Sequence, residues 1–202
     1  MAKSISIDRN KRLRDEPHKG HNRWHPDIAP VIEAEPGEEV TLETRDANDL
    51  QIGSKTTAKD LEKLERTVAH PLTGPVYIRG AKPGDLLEIE YLDIVPERYG
   101  WTRFAPGGGF LPDLFDHHFV VHWDITPGYA TSPQLPGVRI PNGAFMGTAG
   151  VAPSHEQLRR WTAREAELLA RGGRVFPPTT AAAVPAAGKV AEEGLRTIPP
   201  RE

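Results

Sequence analysis

Cysteine is absent from this sequence. A disulfide framework, a Cys-ligated zinc or iron–sulfur site, and a Cys nucleophile are therefore excluded from this chain. The absence suits a reducing cytoplasm, which is the expected location. Long apolar runs are missing too, so no segment reads as a transmembrane helix. Residues 1–12 carry charge without an apolar stretch and do not read as a secretory signal. Apolar residues make up 38% of the 202 positions, where a self-contained domain carries nearer half. Neither sign of charge dominates: 25 Lys and Arg face 28 Asp and Glu, for a net −3. Without a basic stripe, nucleic acid is not an expected partner. Several catalytic signatures are missing as well. There is no HExxH, no GxSxG, no P-loop and no GxGxxG, and the five serines stand in no recognisable nucleophile context.

Turn formers are plentiful, with 19 Gly and 20 Pro. The 6 Phe, 4 Tyr and 4 Trp still suffice for a core. Period-two patterning predicts strands over 39–45, 76–79, 86–95 and 119–125. In the first, Val40, Leu42 and Thr44 share the face expected to be half-buried. The second of the long candidates, Leu86 to Val95, alternates most clearly, with Leu87, Ile89 and Tyr91 on one face. Pro36-Gly37 and Pro83-Gly84 read as tight turns. Leu61, Leu64 and Val68 suggest a short helix over 57–68. Ser154-His-Glu-Gln157 has the form of a capping box, and Leu158, Trp161, Leu168 and Leu169 continue an amphipathic helix to about residue 171. A further helix is expected over 190–196. The organisation predicted is an N-terminal arm (1–30), a β-rich core (31–150) and a helical segment with a tail (151–202).

Histidine is the main chemical signal. His21 and His25 bracket Asn-Arg-Trp, and His117, His118 and His122 follow Asp116. Imidazoles with a carboxylate can ligate zinc or move protons. On an extended strand His118 and His122 point to the same side, so one segment could supply two ligands. Surface or hydrogen-bonded core histidines read the same way. Asp46 and Asp49 follow a strand, where loop acids often reach a site, or equally close a turn through their own side chains. Trp24 and Trp101 suit packing or substrate stacking.

The strings themselves carry more. His21-Asn-Arg-Trp-His-Pro-Asp-Ile28 resembles the N-terminal signature of formamidases in the acetamidase/formamidase family. Pro36 to Asp46, Leu72 to Val76 with Gly80 to Leu87, Gly107 to Leu111, Pro136 to Val138, Gly147 to Pro153 and Glu193 to Glu202 are similar to successive blocks of the same family. The resemblance implies a mainly β fold with peripheral helices (α+β), sandwich- or barrel-like. It also implies hydrolysis of a short amide, formamide preferred, to carboxylate and ammonia. The family's later Gly-Gly-Asn element has no counterpart here. The resemblance therefore implies an N-terminal portion of one amidase domain, completed by a C-terminal portion as a second chain or a missing segment, within a homo-oligomer.

Amide hydrolysis needs an activated nucleophile and a polarised carbonyl, and a divalent metal, zinc first, supplies both. On this resemblance Asp46 and His70 are the candidate catalytic groups. His21, Trp24 and His25 are the substrate-binding candidates, and Asp46, His21 and His25 the metal ligands. The competing reading is a non-catalytic subunit that binds a metal or small ligand within a hetero-oligomer.

Overall fold

The structure is a computed structural model that describes residues 3–173, 180–186, 188, 190 and 195–196. The chain divides into two compact units. Unit 1 comprises residues 1–50, 65–87 and 148–202; unit 2 comprises residues 51–64 and 88–147. Among the described residues the secondary structure is mainly β, with one α-helix.

Unit 1 is built from short strands: β1 (Lys3–Ile5), β2 (Gly20–His21), β3 (Arg23–Trp24), β4 (Ile32–Ala34), β5 (Val40–Leu42), β6 (Leu72–Thr73) and β7 (Val76–Ile78). They pair two by two. β1 runs parallel to β5 and β4 parallel to β7, whereas β2 is antiparallel to β6 with His21 opposite Leu72. The expected N-terminal arm is thus woven into sheet. Turn chemistry explains the brevity of these strands. At Glu35-Pro-Gly-Glu38, Pro36 presets the turn and Gly37 takes φ +80°, so the Glu38 N–H reaches the Glu35 carbonyl at 3.0 Å. Lys82-Pro-Gly-Asp85 repeats this, with Gly84 at φ +101° and a 3.0 Å closing bond.

The helix α1 (His155–Ala170) starts where the capping box places it. Ser154 Oγ accepts the Gln157 N–H at 3.1 Å. It stops at Gly172, whose φ of +86° an L side chain resists. Leu158 and Leu168 are its buried residues, while Leu169 faces solvent. The helix expected over 190–196 falls largely outside the described residues. Its last two positions form the strand β12 (Leu195–Arg196), antiparallel to β3.

Unit 2 holds a four-stranded antiparallel sheet of β8 (Tyr99–Phe104), β9 (Phe119–Ile125), β10 (Tyr129–Thr131) and β11 (Arg139–Pro141), in the order 11-10-9-8. Its core joins Ile52, Leu61 and Val120, with Leu64 and Trp101 packed against them. Trp101 is therefore a packing residue.

Three expectations fail. Residues 86–95 hold no regular secondary structure and pair with no strand among the described residues. A ladder needs a neighbour, and alternation alone cannot supply one. The helix expected over 57–68 is two 3-10 turns, Asp60–Lys63 and Arg66–Val68. Thr57 donates its N–H and hydroxyl to the Asp60 carboxylate just before the first, and three anchors every few residues are met by short turns as well as by a helix. The 39–45 strand is shorter, Val40–Leu42, and of the face expected to be half-buried only Val40 is so. Leu42 and Thr44 are exposed, and beyond the strand Arg45 is buried with bonds to the Glu16 carboxylate (2.5 Å) and the Lys11 carbonyl (3.1 Å).

Two expected results follow from this packing. A Cβ added at Gly20 would lie 2.3 Å from the Leu72 carbonyl oxygen and 3.1 Å from Leu13 Cδ1. Because a backbone oxygen in a strand pair cannot yield, Gly20→Ala is expected to destabilise unit 1 by roughly 2–3 kcal/mol, read from urea unfolding. An unchanged midpoint would mean that β2 and β6 separate freely.

The second concerns Glu16. Lys19 Nζ bonds it at 2.6 Å, the Asp8 N–H donates at 2.9 Å, and Arg45 adds its charge. Together, against the cost of burial, they hold the carboxyl down to about 2 from an ordinary 4.5. An acid whose pKa is depressed by folding stabilises the fold while ionised. That contribution is complete above pH 4.5 and is lost as pH falls toward about 2. Thermal melts of the native chain should lose stability through this window more steeply than those of Glu16→Gln. Parallel curves would show that Glu16 does not carry the acid sensitivity.

Candidate metal and amide site

The candidate residues lie in unit 1. The Gly20–Trp24 stretch is anchored by two polar side chains with no exposed surface, Asn22 and Arg23. Asn22 Nδ2 donates to the Ala182 carbonyl at 2.8 Å, and its Oδ1 accepts the Val184 N–H at 2.8 Å. Its own N–H donates to the Val184 carbonyl at 3.0 Å. Arg23 donates to the Asn22 carbonyl at 2.8 Å. With these residues turned inward, the flanking His21, Trp24 and His25 are fixed in place.

His21 is buried, and its Nδ1–H donates to the Arg23 carbonyl at 2.7 Å. Burial lowers its pKa below the usual imidazole value, so the ring is neutral near pH 7 and its Nε2 carries a lone pair. The Trp24 indole meets the His21 ring edge-on, with centroids 6.1 Å apart. A Cβ at Gly150 would come within 3.0 Å of that indole, so the absence of a side chain there is what lets the ring lie against the loop.

His25 is buried, and its Nδ1 accepts the Asp27 N–H at 3.1 Å. Its ring stands edge-to-face to that of His155, 5.7 Å away. His155, the first residue of α1, donates from Nε2 to Asp27 Oδ1 at 3.1 Å. One ligand atom from each of His25, Asp27 and His155 lies within 4.8 Å of the others. Among the described residues this is the one such group of three or more metal-capable side chains.

Two imidazoles and a carboxylate suit a borderline divalent ion such as zinc, with room left for water. The donor chemistry therefore fits. His25 imposes one condition. To hold an ion His25 would either give up the Asp27 N–H bond at Nδ1 or shift its proton to Nδ1 and offer Nε2. In either case the Asp27 backbone must adjust.

Asp46 is placed differently. Its Oδ1 accepts the Asn48 N–H and its Oδ2 the Leu50 N–H, both at 2.8 Å. These bonds brace a loop in which Asp49 (φ 58°) and Leu50 (φ 60°) are both left-handed, an unusual state for leucine. Burial raises the Asp46 carboxyl above its ordinary 3.8, and the backbone donors oppose that shift. His70 is half-buried, two residues before β6. Neither Asp46, His70 nor His21 belongs to the group around His25.

The histidines of unit 2 do not form a ligand pair. His122 Nε2 donates to the Thr56 carbonyl at 2.8 Å, which leaves Nδ1 to accept the Tyr99 hydroxyl, also at 2.8 Å. Both ring nitrogens are thus committed beside an open cleft of about 370 Å³. His117 is exposed and sits against Asp116.

Sequence reasoning missed Asp27 and His155. Asp27 stood inside the His21–Ile28 block, where the spacing His-x-Asp was a usable signal. His155 was absorbed by its capping box, and nothing local ties it to a residue 130 positions earlier.

The comparisons with known proteins agree with this architecture. Residues 6–202 match the model of the acetamidase/formamidase family. The chain is 36% identical to an acetamidase of Mycolicibacterium smegmatis over 98% of its length and 55% of that protein's. It is also 36% identical to a formamidase of Methylophilus methylotrophus, over 100% of its length and 54% of that protein's. Among solved structures, the gamma lactamase from Delftia acidovorans superposes with a TM-score of 0.92 at 35% identity, covering 100% of this chain and 53% of that one. This mainly β chain belongs to the acetamidase/formamidase family. It spans about half the length of the curated relatives it matches. No helix among the described residues is long and apolar enough to cross a membrane.

Proposed function

We propose that this chain contributes to an amidohydrolase that cleaves short linear amides, formamide before acetamide, to carboxylate and ammonia. The observation that carries the reading is the His25–Asp27–His155 group, two of whose members lie in the His21–Ile28 block that resembles the formamidase signature. A divalent ion held there, zinc by donor chemistry, supplies Lewis acidity toward water and the amide carbonyl. The protein's own groups do the rest. His155 Nε2 and Asp27 Oδ1 lie 3.1 Å apart, and for both atoms to hold an ion the Nε2 proton would pass to Nδ1 or to solvent. His21 Nε2 offers a neutral acceptor for an amide N–H, and Trp24, edge-on to His21, is a further substrate contact. Asp46, with its raised carboxyl, and His70 are the proposed proton carriers to departing ammonia. The working form is a cytoplasmic homo-oligomer in which the rest of the family fold completes the site.

A second reading is favoured by the gamma lactamase likeness: the amide could be cyclic. Ring opening of a γ-lactam frees an amino group but no ammonia, which separates the two. The test gives the complete assembly formamide, acetamide and a γ-lactam, with and without a chelator. Ammonia release fastest from formamide and lost with chelation is the expected result. Amine formation from the lactam alone would establish the second reading. No turnover, with metal still bound, would mean a non-catalytic binding subunit.

A further inference from the structure

Residues 88–95 read Glu-Ile-Glu-Tyr-Leu-Asp-Ile-Val, an alternating strand pattern within unit 2. None of these residues makes a backbone hydrogen bond to another described residue. Ile89 is 57% exposed, Tyr91 51%, Leu92 63% and Val95 83%. An unpaired segment with strand alternation and exposed apolar side chains is a ready template for strand addition. It holds no Pro, Gly or Lys to blunt that tendency. Its charged members, Glu88, Glu90 and Asp93, are all acidic. Unit 2 also exposes Phe110, Leu114 and Phe145.

What would cover this segment is indicated by length. The chain superposes closely on the gamma lactamase yet accounts for 53% of it, and for 55% and 54% of the two curated relatives. We infer that residues 88–95 form a β-strand by backbone pairing with a strand from the portion of the family fold that this chain does not span. The pairing strand carries apolar side chains against Ile89, Tyr91 and Val95, and Lys or Arg opposite Glu88 and Glu90. The inference does not depend on the amide chemistry, and its test reads no activity.

The probe is the portion of the Mycolicibacterium smegmatis acetamidase that lies outside the match, fused behind residue 202 of the full chain. Fusion raises its effective concentration to roughly millimolar, so modest affinity between relatives does not hide pairing. Hydrogen exchange is followed in the chain alone, in the fusion, and in the fusion carrying Tyr91→Pro, which removes a ladder donor. The amides of 88–95 should exchange almost unprotected in the chain alone and slow by about 100-fold or more in the fusion. Tyr91→Pro should abolish that slowing while β8 and β9 stay protected. A fusion in which 88–95 exchanges as fast as in the chain alone overturns the inference. So does protection that survives Tyr91→Pro, or protection of the chain alone that grows with its concentration, since a second copy would then be the occupant.

Discussion

His155→Ala in the complete assembly is expected to remove metal retention and amide turnover together, with little loss of fold. His155 is about half exposed, and the start of α1 is held by Ser154, so truncating the imidazole opens no core cavity. Stability should change by no more than about 0.5 kcal/mol, the range for surface substitutions. The chemical loss is of another order. Outer-sphere partners of a metal are worth about 10–100-fold in affinity, and a direct ligand at a three-donor site exceeds that. Cobalt(II) titration followed by absorbance gives the metal affinity, and kcat/KM for formamide gives the consequence. His155→Ala with native cobalt affinity would remove the His25–Asp27–His155 group from the site. Native affinity lost with turnover intact would separate the metal from the chemistry.

Asn22→Ala is expected to remove a large share of the stability a small domain possesses. Two buried backbone groups, the Val184 N–H and the Ala182 carbonyl, take Asn22 as partner at 2.8 Å each. Leaving a buried polar group unsatisfied costs about 1–3 kcal/mol, so the pair amounts to roughly 2–6 kcal/mol. Typical domains are stable by about 5–15 kcal/mol. Soluble yield, urea midpoint and hydrogen exchange over 182–184 are the measurements. Leu169→Ala on the exposed side of α1 is the control, with little expected change. If Asn22→Ala unfolds at the native urea concentration, water has replaced the amide and the anchoring role is wrong.

Some of this protein is legible from neighbouring residues because the physics is local. The two Pro-Gly turns need only a fixed φ at Pro and a positive φ at Gly. The start of α1 needs only a serine hydroxyl within reach of the N–H three residues on. Phe119–Ile125 is a strand at its predicted bounds because a partner happens to stand on each side. Residues 86–95 have the same alternation and no partner among the described residues, so similar local signals end differently. The Val40–Leu42 strand shows a further limit. Of its expected face only Val40 is half-buried, while beyond the strand Arg45 is buried against Glu16, a residue 29 positions away.

The candidate site divides along the same line. The sequence by itself determined the family blocks and the presence of His21, Trp24 and His25 in one stretch. Only the tertiary structure decided which carboxylate and which second imidazole stand beside His25. Asp46, the acid favoured by its position after a strand, spends both oxygens on the amides of its own loop. Asp27 and His155 meet because α1 begins beside the chain that leaves β3. A contact across 128 positions is fixed by packing and carries no periodicity, so it leaves no trace in either segment alone.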